Sequence, residues 1–361
     1  MRKTTTLPLV FAALCLAVGF SRAGEERRIE NVLLITIDGL RWQEVFGGAD
    51  ATILLNEKRA EARTRFWKET PEERREALMP FFWQELAKKG QVFGAPEAES
   101  TARVTNGFYV SYPGYNEILT GRSDERIKSN EKTPNPNITV LEFLNSKPAF
   151  KDRVAVFSDW DVFPYIVNRE RSGVYIHSHT EPFTHASSPE VLAALNAFTT
   201  KLPPYWSGSG FDAPVVLGAL EYVKTQKPRV LYISLGETDD WAHDNKYYLY
   251  LDAAHRSDEF IRQIWTTVQA MPQYAGKTAL VLTTDHGRGE TTKDWTSHGK
   301  NIPAAERIWM AVMGPGIPMT GLRRKLQNTQ GQIAATVAAL LGEDFRAAYP
   351  EAAEPLPLNA P

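Results

Sequence analysis

The chain has 361 residues, of which 43% are hydrophobic and 23% charged, a balance that excludes a disordered or low-complexity protein and gives enough apolar side chains for one large domain. A formal net charge of −2 gives no electrostatic basis for a nucleic-acid surface or for attraction to an anionic membrane. An anionic ligand would have to be drawn in by local charge.

In chain order, the first segment is MRKTTTLPLVFAALCLAVGFSRAGEERR. Arg2 and Lys3 give a basic start, Leu7 to Phe20 an apolar core too short to span a bilayer comfortably, and Ser21-Arg22-Ala23 a small-x-small cleavage site. The expectation is a signal peptide over residues 1–23, a periplasmic or secreted mature protein, and no membrane span once the signal is gone. Cys15, the single cysteine, falls within this segment. The mature chain then has no disulfide and no thiolate. Buried strands are predicted over Val32–Ile37, Val154–Phe157, Val230–Leu235, Ala279–Thr283 and Ile308–Val312, all rich in β-branched residues and nearly free of charge. Helices are predicted over Pro71–Lys89, Ala213–Thr225, Leu251–Ala270 and Gln332–Leu341, the first and last closed by Gly90 and Gly342. Gly121–Asn137, with Pro134 and Pro136, reads as a loop. Residues 161–210, with several aromatics and a Ser-Gly-Ser-Gly run, read as an inserted cap or lid. Residues 346–361 read as a loose C-terminal tail. Strands alternating with helices predict an α/β fold over residues 24–345, with a mainly parallel central sheet flanked by helices on both faces.

In such a sheet, ligands bind beyond the carboxyl ends of the strands. There the sequence puts an unusual set of side chains. NVLLITI runs into Asp38-Gly39, RVLYISL into Glu237-Thr238-Asp239-Asp240 with His243 after it, and TALVLTT into Asp285-His286-Gly287 with His298 beyond. Singly, each has an ordinary structural reading: Asp-Gly is a turn pair, Asp239 is a helix-start acid, and His298 is a surface histidine. Asp240 competes with Asp239, but the spacing of Asp239 and His243 puts these two on one helical face. Jointly they are three carboxylates and three imidazoles, which repel or resist burial unless cations hold them together. Oxygen and imidazole donors without thiolate suit Zn²⁺, with Mn²⁺ the other choice. Ser111, in VSYPGYNEILTG, adds a hydroxyl that a bound cation would activate without a histidine base. The backbone amides of Tyr112 and Gly114 are candidates to face an oxyanion. Trp206-Ser207-Gly208-Ser209-Gly210 follows no buried strand, which argues against a Ser-His-Asp nucleophile elbow.

These residues together resemble the alkaline phosphatase superfamily, most closely its nucleotide pyrophosphatase/phosphodiesterase-like branch, from about Asn31 to Gly342. The resemblance implies that Asp38, Ser111, Asp285 and His286 hold one divalent ion, with Ser111 the nucleophile. Asp239, His243 and His298 would hold the second. Asn130 falls near an asparagine that donates to a phosphoryl oxygen in relatives. Threonine is the usual nucleophile of that branch, and Gly114-Tyr115-Asn116 replaces its usual Asn-His pair. The sulfatase run with x-Pro-x-Arg is missing, since Gly114 and Tyr115 follow Pro113. The expectation is two-metal hydrolysis of a small-molecule phosphate ester, diester or monoester, through phosphoserine. The alternatives are a phosphoglyceromutase-like phosphomutase, a sulfatase-like ester hydrolase and a non-catalytic metal-binding protein. Arg103, Arg122, Lys132, Arg288, Lys293 and Lys300 lie near the motifs as possible partners of a charged oxygen. Activity is expected to fall in acid as the histidines take up protons.

Overall fold

The computed structural model describes residue 1 and residues 28–57 and 60–359, so the predicted signal peptide lies outside the described residues. Among the described residues no helix is long and apolar enough to cross a membrane.

Among the described residues eleven strands form, in chain order β1 (Asn31–Ile37), β2 (Gly90–Phe93), β3 (Thr101–Arg103), β4 (Val154–Ser158), β5 (Tyr175–Ser178) and β6 (Val230–Leu235). They continue with β7 (Thr278–Thr283), β8 (Arg307–Ile308), β9 (Met310–Met313), β10 (Gly321–Leu322) and β11 (Gln327–Thr329). Eight make the central sheet, in the order β10-β2-β9-β7-β1-β6-β4-β5, and β11-β3-β8 form a small second sheet. From β7 to β5 all pairings are parallel. Every residue of β1, β4, β6 and β7 is buried, as the uninterrupted apolar runs require. Alternate side chains of β1 feed two cores: Leu33, Ile35 and Ile37 on one face, Val32 and Leu34 on the other. The long helices Tyr247–Gln269 and Asp212–Gln226 cover the first face, and Ser111–Thr120 and Gln332–Leu340 the second.

Four sequence expectations are corrected. The helix predicted over Pro71–Lys89 stops at Leu78, because Met79 precedes Pro80 and is pushed out of the helical region (φ −129°, ψ 71°). It restarts as a π-turn over Phe82–Leu86, whose entry is held by the amides of Phe81 and Phe82 donating to the Asp258 carboxylate at 2.7 and 2.8 Å. The strand predicted over Ile308–Val312 splits at Trp309: β8 joins the small sheet, and β9 lies antiparallel between β7 and β2. The indole of Trp309 is buried and donates to the Leu40 carbonyl at 2.9 Å, so the break anchors the turn after β1. Residues 161–210 are not all lid, since Tyr175–Ser178 is the edge strand β5. The C-terminal segment is packed rather than loose. Ala352 and Leu356 are buried, the Leu358 carbonyl accepts from Gln91 Nε2 at 2.6 Å, and the Ala353 amide donates to the Gly121 carbonyl at 2.8 Å.

One buried ion pair ties the first strand-end loop to the long helix. Arg41 and Glu44 are both fully buried and joined through two hydrogen bonds. Tyr247 donates to Glu44 at 2.8 Å, and Arg41 Nη1 donates to the Gly289 carbonyl at 2.8 Å. Removing one partner leaves an uncompensated buried charge. Glu44→Ala is therefore predicted to cost about 3–5 kcal/mol in denaturant unfolding. A loss under about 1 kcal/mol would show that the pair does not hold this corner.

Candidate active site

The parallel strands β7, β1, β6 and β4 are neighbours and point the same way, so their carboxyl ends share one rim. Ile37 pairs with Leu235 and Thr36 with Thr283, which levels Asp38, the start of the Glu237–His243 helix, and Asp285. Gly39 makes the first turn possible. It has φ +57°, and a Cβ there would come within 2.7 Å of Asp239 Oδ1. The helix Ser111–Thr120 approaches the same rim from the second face. An added Cβ on Gly114 would stand 2.3 Å from the Asp285 carbonyl, so glycine is what lets helix and strand end touch.

The rim draws most of the sequence-predicted residues together. His286 Nε2 lies 3.5 Å from Asp38 Oδ1, 3.3 Å from Asp285 Oδ2 and 3.8 Å from Asp239 Oδ1. Ser111 Oγ lies 3.4 Å from the same nitrogen. His243 Nε2 is 3.2 Å from Asp239 Oδ2 and 3.0 Å from His298 Nε2, and the His286 and His298 rings stack with centroids 3.8 Å apart. His298 Nδ1 donates to the Tyr109 carbonyl at 2.8 Å and His286 Nδ1 to the Gly287 carbonyl at 3.0 Å, so each turns its Nε2 lone pair inward. Ser111 is the first helical residue rather than the cap, which is Val110, so its hydroxyl is not spent on capping. Asn130 lines the cleft beside Ser111, and its Oδ1 accepts from the Tyr112 amide at 2.9 Å.

One expectation fails here, that the amides of Tyr112 and Gly114 face an oxyanion. The Tyr112 amide is taken by Asn130, and the Gly114 amide donates to the Val110 carbonyl at 3.0 Å, so neither faces the cleft as a free donor. Asp240 is outside both groups of close ligand atoms, as the spacing argument for Asp239 expects, and its Oδ2 accepts from Ser209 at 2.9 Å. Of the basic residues near the motifs, Arg288 is buried and donates to Asp239 Oδ1, whereas Lys132 is paired with Asp161 at 2.7 Å.

Sequence reasoning missed Tyr115. Its hydroxyl donates to Asp38 Oδ2 at 2.8 Å and accepts from Ser234 at 3.0 Å, fixing the carboxylate, while Thr238 donates to the Asp38 backbone carbonyl. The only sequence signal was an aromatic four residues after Ser111 on the same helical face.

The electrostatics state what the cluster needs. Burial raises the Asp38 carboxyl well above the ordinary range, with Asp285 and Asp239 adding to it. Burial, then Asp239, pushes Asp285 up to about 6. Burial lowers His286 to about 4, and burial with His286 lowers His298 to about 3. Burial opposes the Asp239 charge, but Arg288 and His243 outweigh it and hold that carboxyl well below the ordinary range. Asp38 Oδ1 and Asp285 Oδ2 are buried with no hydrogen-bond donor. Two groups bring ligand atoms within 4.8 Å of one another, Asp38-Asp285-His286 and Asp239-His286-His298. Donorless carboxylate oxygens and inward lone pairs at this spacing fit a divalent cation. The first group meets that test in full. In the second, Arg288 already shares Asp239.

Comparison with known proteins follows the same line. Curated proteins include no match to the chain. Among solved structures, the lipoteichoic acid synthase LtaP from Listeria monocytogenes is 13% identical with a TM-score of 0.56, covering 88% of this chain and 73% of its own. The wild-type alkaline phosphatase PafA is 12% identical with a TM-score of 0.56, covering 88% and 96%. A protein in the alkaline phosphatase superfamily from Vibrio parahaemolyticus is 13% identical with a TM-score of 0.52, covering 88% and 67%. At these identities the likeness is one of fold. The sequence model of type I phosphodiesterase / nucleotide pyrophosphatase matches residues 48–356, and the chain belongs to that family.

Proposed function

We propose that this chain hydrolyses phosphate diesters with two bound divalent ions, through a covalent phosphate on Ser111. The observation that carries the reading is Ser111 Oγ, uncommitted to capping, set 3.4 Å from His286 Nε2 beside two buried carboxylate oxygens that lack a donor. Asp38, Ser111, Asp285 and His286 would hold one ion, and Asp239, His243 and His298 the other, with Zn²⁺ or Mn²⁺ suited to this donor set. Bound there, the ions supply positive charge that favours the serine alkoxide and the developing charge of an in-line displacement. Ser111 Oγ forms the bond to phosphorus as the ester bond to the leaving alcohol breaks. Water then cleaves the Oγ–P bond and restores the serine. Asn130, on the cleft wall with its Oδ1 accepting from the Tyr112 amide, would offer its Nδ2 to a phosphoryl oxygen. The predicted signal peptide supports a periplasmic or secreted site of action.

The lining of the cleft favours a diester over a monoester. The residues around its roughly 210 Å³ include Asp38, Ser111, Asn130, Asp239 and His243 but no lysine or arginine. A monoester brings a second charged oxygen that wants a cationic partner. The expected result is that protein loaded with Zn²⁺ or Mn²⁺ releases nitrophenol from bis-(4-nitrophenyl) phosphate with a kcat/KM at least about tenfold above that for 4-nitrophenyl phosphate, with no acceptor alcohol present. Turnover that needs an acceptor would instead indicate a phosphomutase. Loss of activity on both esters, with metal bound, would end the hydrolase reading.

A further inference from the structure

The helix that begins at Ser111 carries a buried acid that the reaction does not use. Glu117 is fully buried on Ser111–Thr120, and its carboxylate faces back onto the loop between β3 and that helix. One oxygen accepts from the Thr105 amide at 2.9 Å and from the Thr105 hydroxyl at 2.8 Å. The other accepts from the Asn106 amide at 3.0 Å and from Asn106 Nδ2 at 3.2 Å. Holding Nδ2 turns Asn106 Oδ1 the other way, where it accepts from the amides of Phe108 and Tyr109 at 2.9 and 3.0 Å. Those bonds close a tight turn in which Tyr109 has φ +52°, a left-handed backbone that a tyrosine keeps only where its surroundings fix it. The carbonyl of Tyr109 is the acceptor for His298 Nδ1 at 2.8 Å.

A continuous path of hydrogen bonds therefore runs from Glu117 through Asn106 to the acceptor of a proposed metal-ligand imidazole. A stabilising role alone does not account for the acid. Burial pushes its carboxyl up to about 7, although the bonds from Thr105 and Asn106 act to lower it. A carboxyl raised on folding stabilises the fold fully below its ordinary value, and that contribution is lost as the pH rises through the raised one. In mild alkali the buried charge is thus a cost to folding. What the ionised group supplies is acceptance from every side, which fixes the Asn106 amide. A neutral amide in its place has one accepting oxygen and two hydrogens to set against donors. The acceptor behind a ligating imidazole sets the tautomer and direction of the ring, and altering such a partner costs about 10–100-fold in metal affinity. We infer that Glu117 is a positioning residue that, through Asn106 and the Tyr109 carbonyl, aims His298 Nε2 and sets the affinity of the ion held by Asp239, His243 and His298. The inference rests on the two-ion reading of the site. It adds that the helix presenting Ser111 to one ion also aims a ligand of the other.

Two variants break the path at different points. Glu117→Gln removes the charge, and Asn106→Ala removes the link while leaving Thr105 on Glu117. The first readout is nuclear magnetic resonance of the metal-free protein with isotopically labelled histidine. The His298 Nδ1 proton, assigned by its absence in His298→Asn, is expected to be protected from solvent exchange in the wild type and to exchange at least about tenfold faster in both variants. The His286 Nδ1 proton, held by the Gly287 carbonyl, should not change. The second readout is chelator competition with Zn²⁺. The weaker of the two ions should lose about 10–100-fold in affinity and the tighter one stay within about threefold. The double variant should lose no more than the worse single variant, as positions on one path do. An unchanged His298 proton in both variants, equal weakening of both ions, or losses that add in the double variant overturns the inference, since Glu117 would then only support the loop. Asn106→Ala decides alone if Glu117→Gln fails to fold. If the wild type binds a single ion and both variants still free the His298 proton, the positioning of His298 stands and the two-ion reading falls.

Discussion

Ser111→Ala is expected to lower turnover of an aryl phosphate diester by on the order of 10³-fold or more, while bound metal stays close to the wild-type content. The size follows from the part the hydroxyl would play. It supplies the atom that bonds to phosphorus, and of the cleft's other serines Ser234 donates to Tyr115 and Ser209 to Asp240. Metal should persist because Asp38, Asp285 and His286 keep their ligand atoms within 4.8 Å without the serine. The fold should persist too, because Val110 rather than Ser111 is the cap and the Tyr112 amide is held by Asn130. The check is paired: steady-state kinetics and elemental analysis on one preparation, with a search for phosphoserine by mass spectrometry in acid-quenched wild type. Near-normal turnover in the alanine variant would remove Ser111 as the nucleophile. Lost metal with lost turnover would show that the hydroxyl matters chiefly as a ligand.

The sequence was most legible where one physical signal dominated. β1, β6 and β7 are continuous apolar runs buried on both faces, and their ends carry acids because a parallel sheet sends all its carboxyl ends to one rim. The Asp239–His243 pair was legible from helical spacing alone. It was less legible where a local rule competed with a pattern. Apolar spacing over Pro71–Lys89 looked continuous, but Pro80 cut it and Asp258, far away in sequence, fixed the restart. Trp309 read as one more strand residue, yet its indole needed a buried acceptor and found Leu40, which divided the strand between two sheets. Tyr115 and Arg288 could not be ranked from sequence. Their roles depend on which partner faces them across the rim, and that is set by packing rather than by periodicity. The tail looked loose by composition, but its Leu358 carbonyl accepts from Gln91 and its Ala353 amide donates to the Gly121 carbonyl.

Asp285→Ala should bind at most one of the two proposed ions and lose nearly all activity, and the pH dependence of metal binding gives this prediction its sharper form. Asp285 contributes one buried oxygen with no donor, and its other oxygen accepts from the Gly39 amide at 3.0 Å, so the residue is oriented by backbone and otherwise waits for a cation. Its carboxyl is raised to about 6 by burial and by Asp239, against an ordinary value of 3.8. A carboxyl whose pKa is raised on folding stabilises the metal-free fold fully below its unfolded value, and that contribution is lost as the pH rises through the folded value. The chelated protein should therefore weaken from about pH 4 to above pH 6, as Asp285 is forced to ionise without a counter-charge. Metal binding displaces the same proton, so the stabilisation that metal gives should grow over that range. His286 and His298, lowered to about 4 and about 3, are already neutral in this window. The measurement is the difference in melting temperature between metal-loaded and chelated protein from about pH 5 to about pH 8. In the wild type the difference should rise with pH. In Asp285→Ala it should be small and flat. A wild-type difference independent of pH, or a variant with full metal content, would show that Asp285 is not a ligand.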